Sequence, residues 1–434
     1  QQRLRAFRQK WSEVLRWEVD DRGGEPFDPS FVQAERVIAF RENETEGGVE
    51  FMVKWRNLPY FDCTWETEEC LEEAMGKKEA QNLISTFETF DQVVDEHLLN
   101  TPERPSVPKV KPDGKIPDYA TECTFKQGHE LRSYQREGVN WLAYNWLQRR
   151  GSILADEMGL GKTVQAVGLM TWLLQAHNRR GPFLIVTPLS TISHWTREIE
   201  GWTDMNAIVY HGNSESREII QQREFYWDDY SASATGAFRF NILITTWEHV
   251  MSDEKDGGIL GGIDWDLVIV DEAHRLKNSE SKTFKSFKSF RALSSKGDAH
   301  CVLMTGTPLQ NNTEELWCLL HFIDDDEYDN IEDFLERYGQ VENANQILKL
   351  REELRPYMLR RQKEDVEKSI PPKEEIIIEV EMSQLQRTTY KSILERNFDW
   401  LTKGAKGATV PALRNVEMEL RKCCNHPYLI DGVE

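Results

Sequence analysis

The sequence predicts an α/β fold built on a parallel sheet, and three observations carry that prediction. Short apolar runs at residues 152–155, 183–187, 242–245, 267–270 and 301–304 show no polar alternation, as in strands buried on both faces. Stretches of helical character separate them, the arrangement that lets parallel strands follow one another. The run at 152–155 then passes into Asp156-Glu157-Met158-Gly159-Leu160-Gly161-Lys162-Thr163, after which Val164, Val167, Met170 and Leu174 recur at helical spacing. Strand, glycine loop, Lys-Thr and helix in that order make a phosphate cradle.

The residue types define what the cradle does. Gly159 and Gly161 let backbone N–H groups approach a phosphate with no Cβ in the way. The helix start that follows adds partial positive charge. Lys162 is expected on the β- and γ-phosphates of ATP, and the Thr163 hydroxyl on Mg²⁺. Residues 156–164, from Asp156 to Val164, are the expected nucleotide contacts, with Asp156 standing where the strict pattern has glycine. The run at 267–270 ends in Asp271-Glu272-Ala273-His274, and an acid pair there can manage metal and water. Asp271 is expected to hold Mg²⁺ through water, and Glu272 to orient and polarise the attacking water. Thr305-Gly306-Thr307-Pro308 follows the run at 301–304 and supplies hydroxyls suited to sensing the γ-phosphate. Upstream, the Gln135 amide suits the adenine edge, and Tyr134 or Arg132 a position against the ring.

Composition bounds the rest. Two or three domains are expected of 434 residues. Lys plus Arg is 53 against 74 for Asp plus Glu, a net charge of −21, so nucleic acid would have to meet a local basic strip. Seven cysteines with no Cys-x-x-Cys point to a reducing compartment. Cys423, Cys424 and His426 lack zinc spacing and read as buried thiols. No apolar run is long enough to cross a bilayer, and no signal-peptide pattern opens the chain. The first residue is Gln1, and a fragment of a longer chain is expected.

Gln135, residues 156–163, 271–274 and 305–308 occur in the order of a superfamily-2 helicase first lobe. The longer strings Asp271-Glu272-Ala273-His274-Arg275-Leu276-Lys277-Asn278, Thr305-Gly306-Thr307-Pro308-Leu309-Gln310-Asn311, Leu359-Arg360-Arg361 with Asp365-Val366-Glu367-Lys368, and Arg421-Lys422-Cys423-Cys424-Asn425-His426-Pro427 resemble the Snf2 forms. The upstream segment resembles a chromodomain. Together they resemble the chromodomain-helicase-DNA-binding chromatin remodellers, with residues 364–368 and 201–212 nearest the Kismet-like branch. The resemblance implies a RecA-like P-loop lobe preceded by a chromodomain of three curled strands and a helix. It also implies a helical protrusion after the lobe and the start of a second lobe.

The expected layout is then 1–30, an amphipathic helix and linker; 31–100, the second chromodomain of a pair; and 101–123, a proline-rich, semi-rigid linker. Residues 124–326 form the ATP-binding lobe, 327–370 a charged helical protrusion, and 371–434 the strand-like opening of a truncated second lobe. Phe31 and Trp55 match two positions of a methyl-lysine cage, or else pack a core; the third position is Leu58. Two loops, Pro188-Leu189-Ser190 with Trp195 and Thr245-Thr246-Trp247, are expected by resemblance to track one DNA strand. Arg275, Lys277, Asn278, Thr305, Gly306 and Thr307 would assist, although a capped helix start accounts for such residues too.

The resemblance implies DNA-stimulated ATP hydrolysis driving translocation on duplex DNA and nucleosome sliding in the nucleus, with histones and possible methylated tails as partners. The chain alone is expected to turn over ATP weakly, because no run after Cys424 supplies the second-lobe arginines. The acidic chromodomain is further expected to regulate the motor by covering its basic strip. A strand-separating DEAH-type helicase and a chromatin-binding scaffold with a vestigial ATPase are the alternatives.

Overall fold

The computed structural model describes residues 29–42, 48–92, 116–227, 238–252, 256–293, 299–306, 313–338, 344–366, 376, 378–395 and 416–430. The expected N-terminal helix, the acidic turn at 43–47, most of the proline-rich linker and Thr307 lie outside these residues. The chain divides into two compact units, Gln1–Lys368 and Ser369–Glu434.

The first unit opens with an antiparallel meander of β1 (Ala34–Glu42), β2 (Val49–Trp55) and β3 (Thr64–Thr67). Register shifts at 34/36 and 37/39 curl it, as bulges do. Helix α1 (Glu68–Met75) starts where the Thr67 hydroxyl accepts a bond from Cys70 N. It stops at Gly76, whose φ of 91° suits glycine, and α2 (Lys77–Asp91) follows. Val37, Phe51, Val53, Trp55, Leu71 and Phe87 are buried together between sheet and helices.

The lobe that follows is a parallel seven-stranded sheet. Its strands are β4 (Ser152–Leu154), β5 (Phe183–Val186), β6 (Ala207–Tyr210), β7 (Ile242–Thr245), β8 (Leu267–Val270), β9 (His300–Met304) and β10 (Met358–Leu359), in the order β10-β4-β9-β8-β5-β7-β6. Leu184 and Val186 join one apolar cluster, Phe183 and Ile185 another. Both faces are therefore covered, which is why these strands read as unbroken apolar runs. Helices α3 (Ser133–Leu147), α4 (Lys162–His177), α5 (Ile192–Trp202) and α6 (Ser214–Arg223) belong to the covering layers. The segment expected to be a helical protrusion contains helices Ile331–Tyr338 and Ala344–Leu354 and then returns as β10 beside β4, Met358 opposite Ile153. Two residues are too few for a strand period to show in sequence.

The meander and the lobe share a core: Ile38, Tyr60 and Cys63 are buried in the cluster that holds Ile208, Tyr210 and Ile220. Arg36 of β1 fixes the joint. It donates to Glu224 Oε2 at 2.9 Å, Asn206 Oδ1 at 2.6 Å and the carbonyl of Ala207 at 2.8 Å. The Tyr60 hydroxyl donates to Glu224 Oε1 at 3.0 Å. Burial, and then the Glu224 charge, hold that phenol well above its ordinary pKa of 10.0. In return, Arg239 of the lobe donates to Ile38 O at 3.2 Å and lies 3.4 Å from Asp91 of α2. The joint thus carries ion pairs of both senses, Arg36 of the meander to Glu224 of the lobe and Arg239 of the lobe to Asp91 of α2.

In the second unit Ser383 and Gln386 cap the helix Gln384–Leu394 reciprocally, and Ile393, Cys423 and Ile430 form a small core. Residues 376 and 378–382 form no strand, and Ile376, Ile378 and Val380 are 74, 76 and 81% exposed. The strand expected there finds no pairing partner among the described residues.

Candidate nucleotide site

The chain turns of the site lie at the carboxyl ends of β4, β5, β7, β8 and β9, where ligands meet parallel sheets. After β4, Gly159 and Gly161 take φ of 89° and 75°. A Cβ on Gly161 would fall 2.4 Å from the Gln135 amide nitrogen, so the turn closes against that side chain only without one. Gln135 is itself fixed: its amide oxygen accepts from Arg132 N at 3.0 Å, and its nitrogen faces Leu160 O at 3.4 Å. Lys162, half-buried at the first turn of α4, donates to the Asp156 carbonyl at 2.9 Å. Burial lowers its pKa, opposed by the charges of Glu272, Asp156 and Asp271. A glycine cradle, an ammonium within it and two facing carboxylates fit a triphosphate with its metal.

Asp156 does something other than line that cradle. Its carboxylate is fully buried, accepting from Arg361 at 3.0 and 2.5 Å and from the Gln165 amide at 3.0 Å. Its departure from glycine is thus explained by a partner, with the side chain given over to Arg361 and Gln165. Arg361 and Gln165 were not singled out for this site from the sequence, because their meeting with Asp156 depends on β10 returning to the sheet.

Asp271 is held from three sides. Its Oδ2 accepts from Trp195 Nε1 and Thr187 Oγ1, each at 3.0 Å, and its Oδ1 accepts from Glu272 N at 2.9 Å. Glu272 adopts φ 50° and ψ 48°, a left-handed conformation uncommon for a non-glycine residue, and its carboxylate lies 3.0 Å from His274 Nδ1. Thr305 is buried and bonded through its N–H to Leu154 O at 3.1 Å, and Met158 of the loop packs over Gly306.

The expected DNA contacts separate into two groups. Leu189 is 60% exposed, Ser190 is exposed, and Arg275, Lys277 and Asn278 are at the surface. Trp195 and Trp247 are 0% exposed, as is Thr245, and Thr246 and Thr305 are 1% exposed, so none of these side chains reaches a strand. Trp195 serves Asp271 instead, and the Thr245 hydroxyl donates to Tyr210 O at 2.9 Å. In the chromodomain Trp55 is 3% exposed and its Nε1 donates to Thr64 Oγ1 at 2.9 Å. A packed ring offers no face to a cation, so the cage position is corrected to a core position; Phe31 is half-buried. Among the described residues no group of three or more His, Cys, Asp or Glu side chains could hold a metal ion unaided.

Residues 134–429 match the SNF2-related domain, and residues 32–89 match the chromo domain, the "chromatin organisation modifier". Over its whole length the chain is 45% identical to the zebrafish (Danio rerio) chromodomain-helicase-DNA-binding protein 8, 42% to the mouse protein 9 and 41% to the rat protein 6. It spans 16, 14 and 15% of those proteins' lengths. The Sulfolobus solfataricus SWI2/SNF2 ATPase core in complex with dsDNA aligns over 70% of this chain and 60% of its own, at 23% identity and a TM-score of 0.46, too distant to inform the site. With a parallel-sheet lobe, a glycine cradle and a chromodomain joined to it, the chain belongs to the SNF2-related domain family, with a chromodomain ahead of that domain.

Proposed function

We propose that this chain is the ATP-hydrolysing part of a nuclear chromatin remodeller of the chromodomain-helicase-DNA-binding kind, in its Kismet-like branch. Lys162 and the amides of residues 159–163 take the phosphates of ATP, Thr163 and Asp271 hold Mg²⁺, and Glu272 orients water. Gln135, with Arg132 and Tyr134, sits on the base side. Bound Mg²⁺ neutralises charge that develops on the phosphates. Duplex DNA runs past Pro188, Leu189, Ser190, Arg275, Lys277 and Asn278, and turnover moves it along a nucleosome. The chromodomain acts as a docked module that faces histones or sets the state of the motor.

One observation supports this reading above the rest: the half-buried Lys162 ammonium lies in the glycine cradle within the field of Asp271 and Glu272. The test is Mg-ATP turnover, with and without duplex DNA, by this chain joined to a complete second lobe, beside the same protein carrying Lys162→Ala. DNA-stimulated turnover lost in the variant is expected, and turnover indifferent to Lys162 would refute the assignment. Displacement of a strand from a duplex would favour a helicase instead. Failure to bind nucleotide at all would favour a scaffold.

A further inference from the structure

We infer that Arg361 is a positioning residue of the nucleotide site, setting Lys162 through Asp156. The inference rests on the proposed ATP-binding reading. Arg361 lies far along the chain from the glycine loop, yet one guanidinium binds three walls of the site. It grips the Asp156 carboxylate at the loop's first residue, Gln165 Oε1 of α4 at 2.7 Å, and the carbonyl of Tyr134 at the start of α3. The Arg361 side chain is 11% exposed and that of Asp156 is 0% exposed. Gly138 makes room for the cluster: a Cβ there would lie 1.8 Å from Gln165 Oε1 and 3.0 Å from Arg361 Nη2. The planar fork is what allows one side chain to serve acceptors on three elements, which an ammonium cannot reproduce.

The backbone repeats the attachment. Ala155 N donates to Leu359 O at 2.8 Å, Glu157 N to Arg361 O at 3.0 Å, and Lys363 N to Glu157 Oε2 at 2.8 Å. Lys162 closes the chain of contacts, because its ammonium is anchored on the carbonyl of Asp156. Whatever fixes Asp156 therefore fixes where the phosphate-binding lysine starts. The Arg361 guanidinium is taken up by Asp156, Gln165 and the Tyr134 carbonyl, so its role is to hold the loop, α4 and the base-side element in one register.

Mg-ADP titration and steady-state ATP turnover on the whole chain test this, comparing wild type with Arg361→Lys, Arg361→Ala, Asp156→Asn and the double variant Arg361→Ala/Asp156→Asn. Arg361→Lys keeps the charge and is expected to fold, with Kd for ADP and KM for ATP raised about tenfold and kcat changed less. Arg361→Ala and Asp156→Asn should each cost at least as much, and the double variant no more than the worse of them, because both remove one interaction. A folded Arg361→Lys protein with Kd and KM within about twofold of wild type would overturn the inference. So would additive effects in the double variant. If Arg361→Ala does not fold, the lysine variant decides alone. Wild-type protein that binds no nucleotide would sink the ATP reading itself, a result distinct from normal wild-type binding with unaffected variants.

Discussion

Two joints in this molecule are built from the same chemistry and serve different ends. At one, Arg36 of the chromodomain meets Glu224, whose side chain is 0% exposed, beyond the outermost strand β6. At the other, Arg361 meets Asp156, also 0% exposed, beside β4 and the glycine loop. In each case an arginine from a distant segment neutralises a carboxylate that the lobe has taken out of water, and one backbone carbonyl and one side-chain amide oxygen accept further bonds from it. The first joint is surrounded by apolar packing from Ile38 and Tyr60 and holds a whole domain in place. The second is surrounded by polar groups from three site elements, the Asp156 and Gln165 side chains and the Tyr134 carbonyl, and holds a loop. A buried ion pair is a generic fastener here, and its neighbours decide whether it secures architecture or aims a reactive group.

Single substitutions separate the two joints. Lys162→Ala should lower ATP turnover by on the order of 10²-fold or more while leaving the unfolding midpoint near wild type, since neither joint is touched. A large loss of stability in that variant would show that the site is also scaffold. Glu224→Ala should cost about 3 kcal/mol of stability by stranding Arg36, with nucleotide affinity of the folded protein unchanged. If it weakened Mg-ADP binding as much as Asp156→Asn does, the two joints would not be separable. Trp195→Phe keeps an aromatic ring and removes the donor to Asp271; turnover should fall about tenfold, while the smaller buried ring lowers the unfolding midpoint less than Glu224→Ala does, measured by parallel kinetics and thermal melts. The smallest effect concerns Tyr60. Its pKa is raised in the fold, so the unfolded chain loses the proton first as pH climbs through 10.0, and stability declines above that pH. Tyr60→Phe should flatten part of that alkaline decline in denaturant titrations; an unaltered slope would exclude Tyr60 from it.

How much of this the sequence carried depends on the range of the interaction. The five apolar runs, the glycine loop and the acid box are local patterns, and each falls on its strand end in the fold. Asp156, read alone, looks like an imperfect loop residue, because its reason is Arg361. Trp195 and Thr245 sit in segments of the right kind for DNA contact, yet their side chains turn inward to Asp271 and Tyr210 O, a choice of face that spacing over a short helix start or strand end does not reveal. Trp55 shows the same ambiguity in a strand, where an aromatic suits either a cage or a core. Neither arginine joint was legible, since each depends on segments far apart in the chain coming together.

The bond from Arg36 to the carbonyl of Ala207 has a practical corollary. Ala207 opens β6, the last strand of the sheet, and an uncovered outer strand is a template on which other chains can add. The chromodomain supplies one cation and several apolar side chains along that margin, so its removal is expected to leave β6 open to pairing with other chains. A preparation of residues 116–366 without it should be prone to aggregate, and dissections that treat the two modules as independent would then report loss of solubility as loss of function.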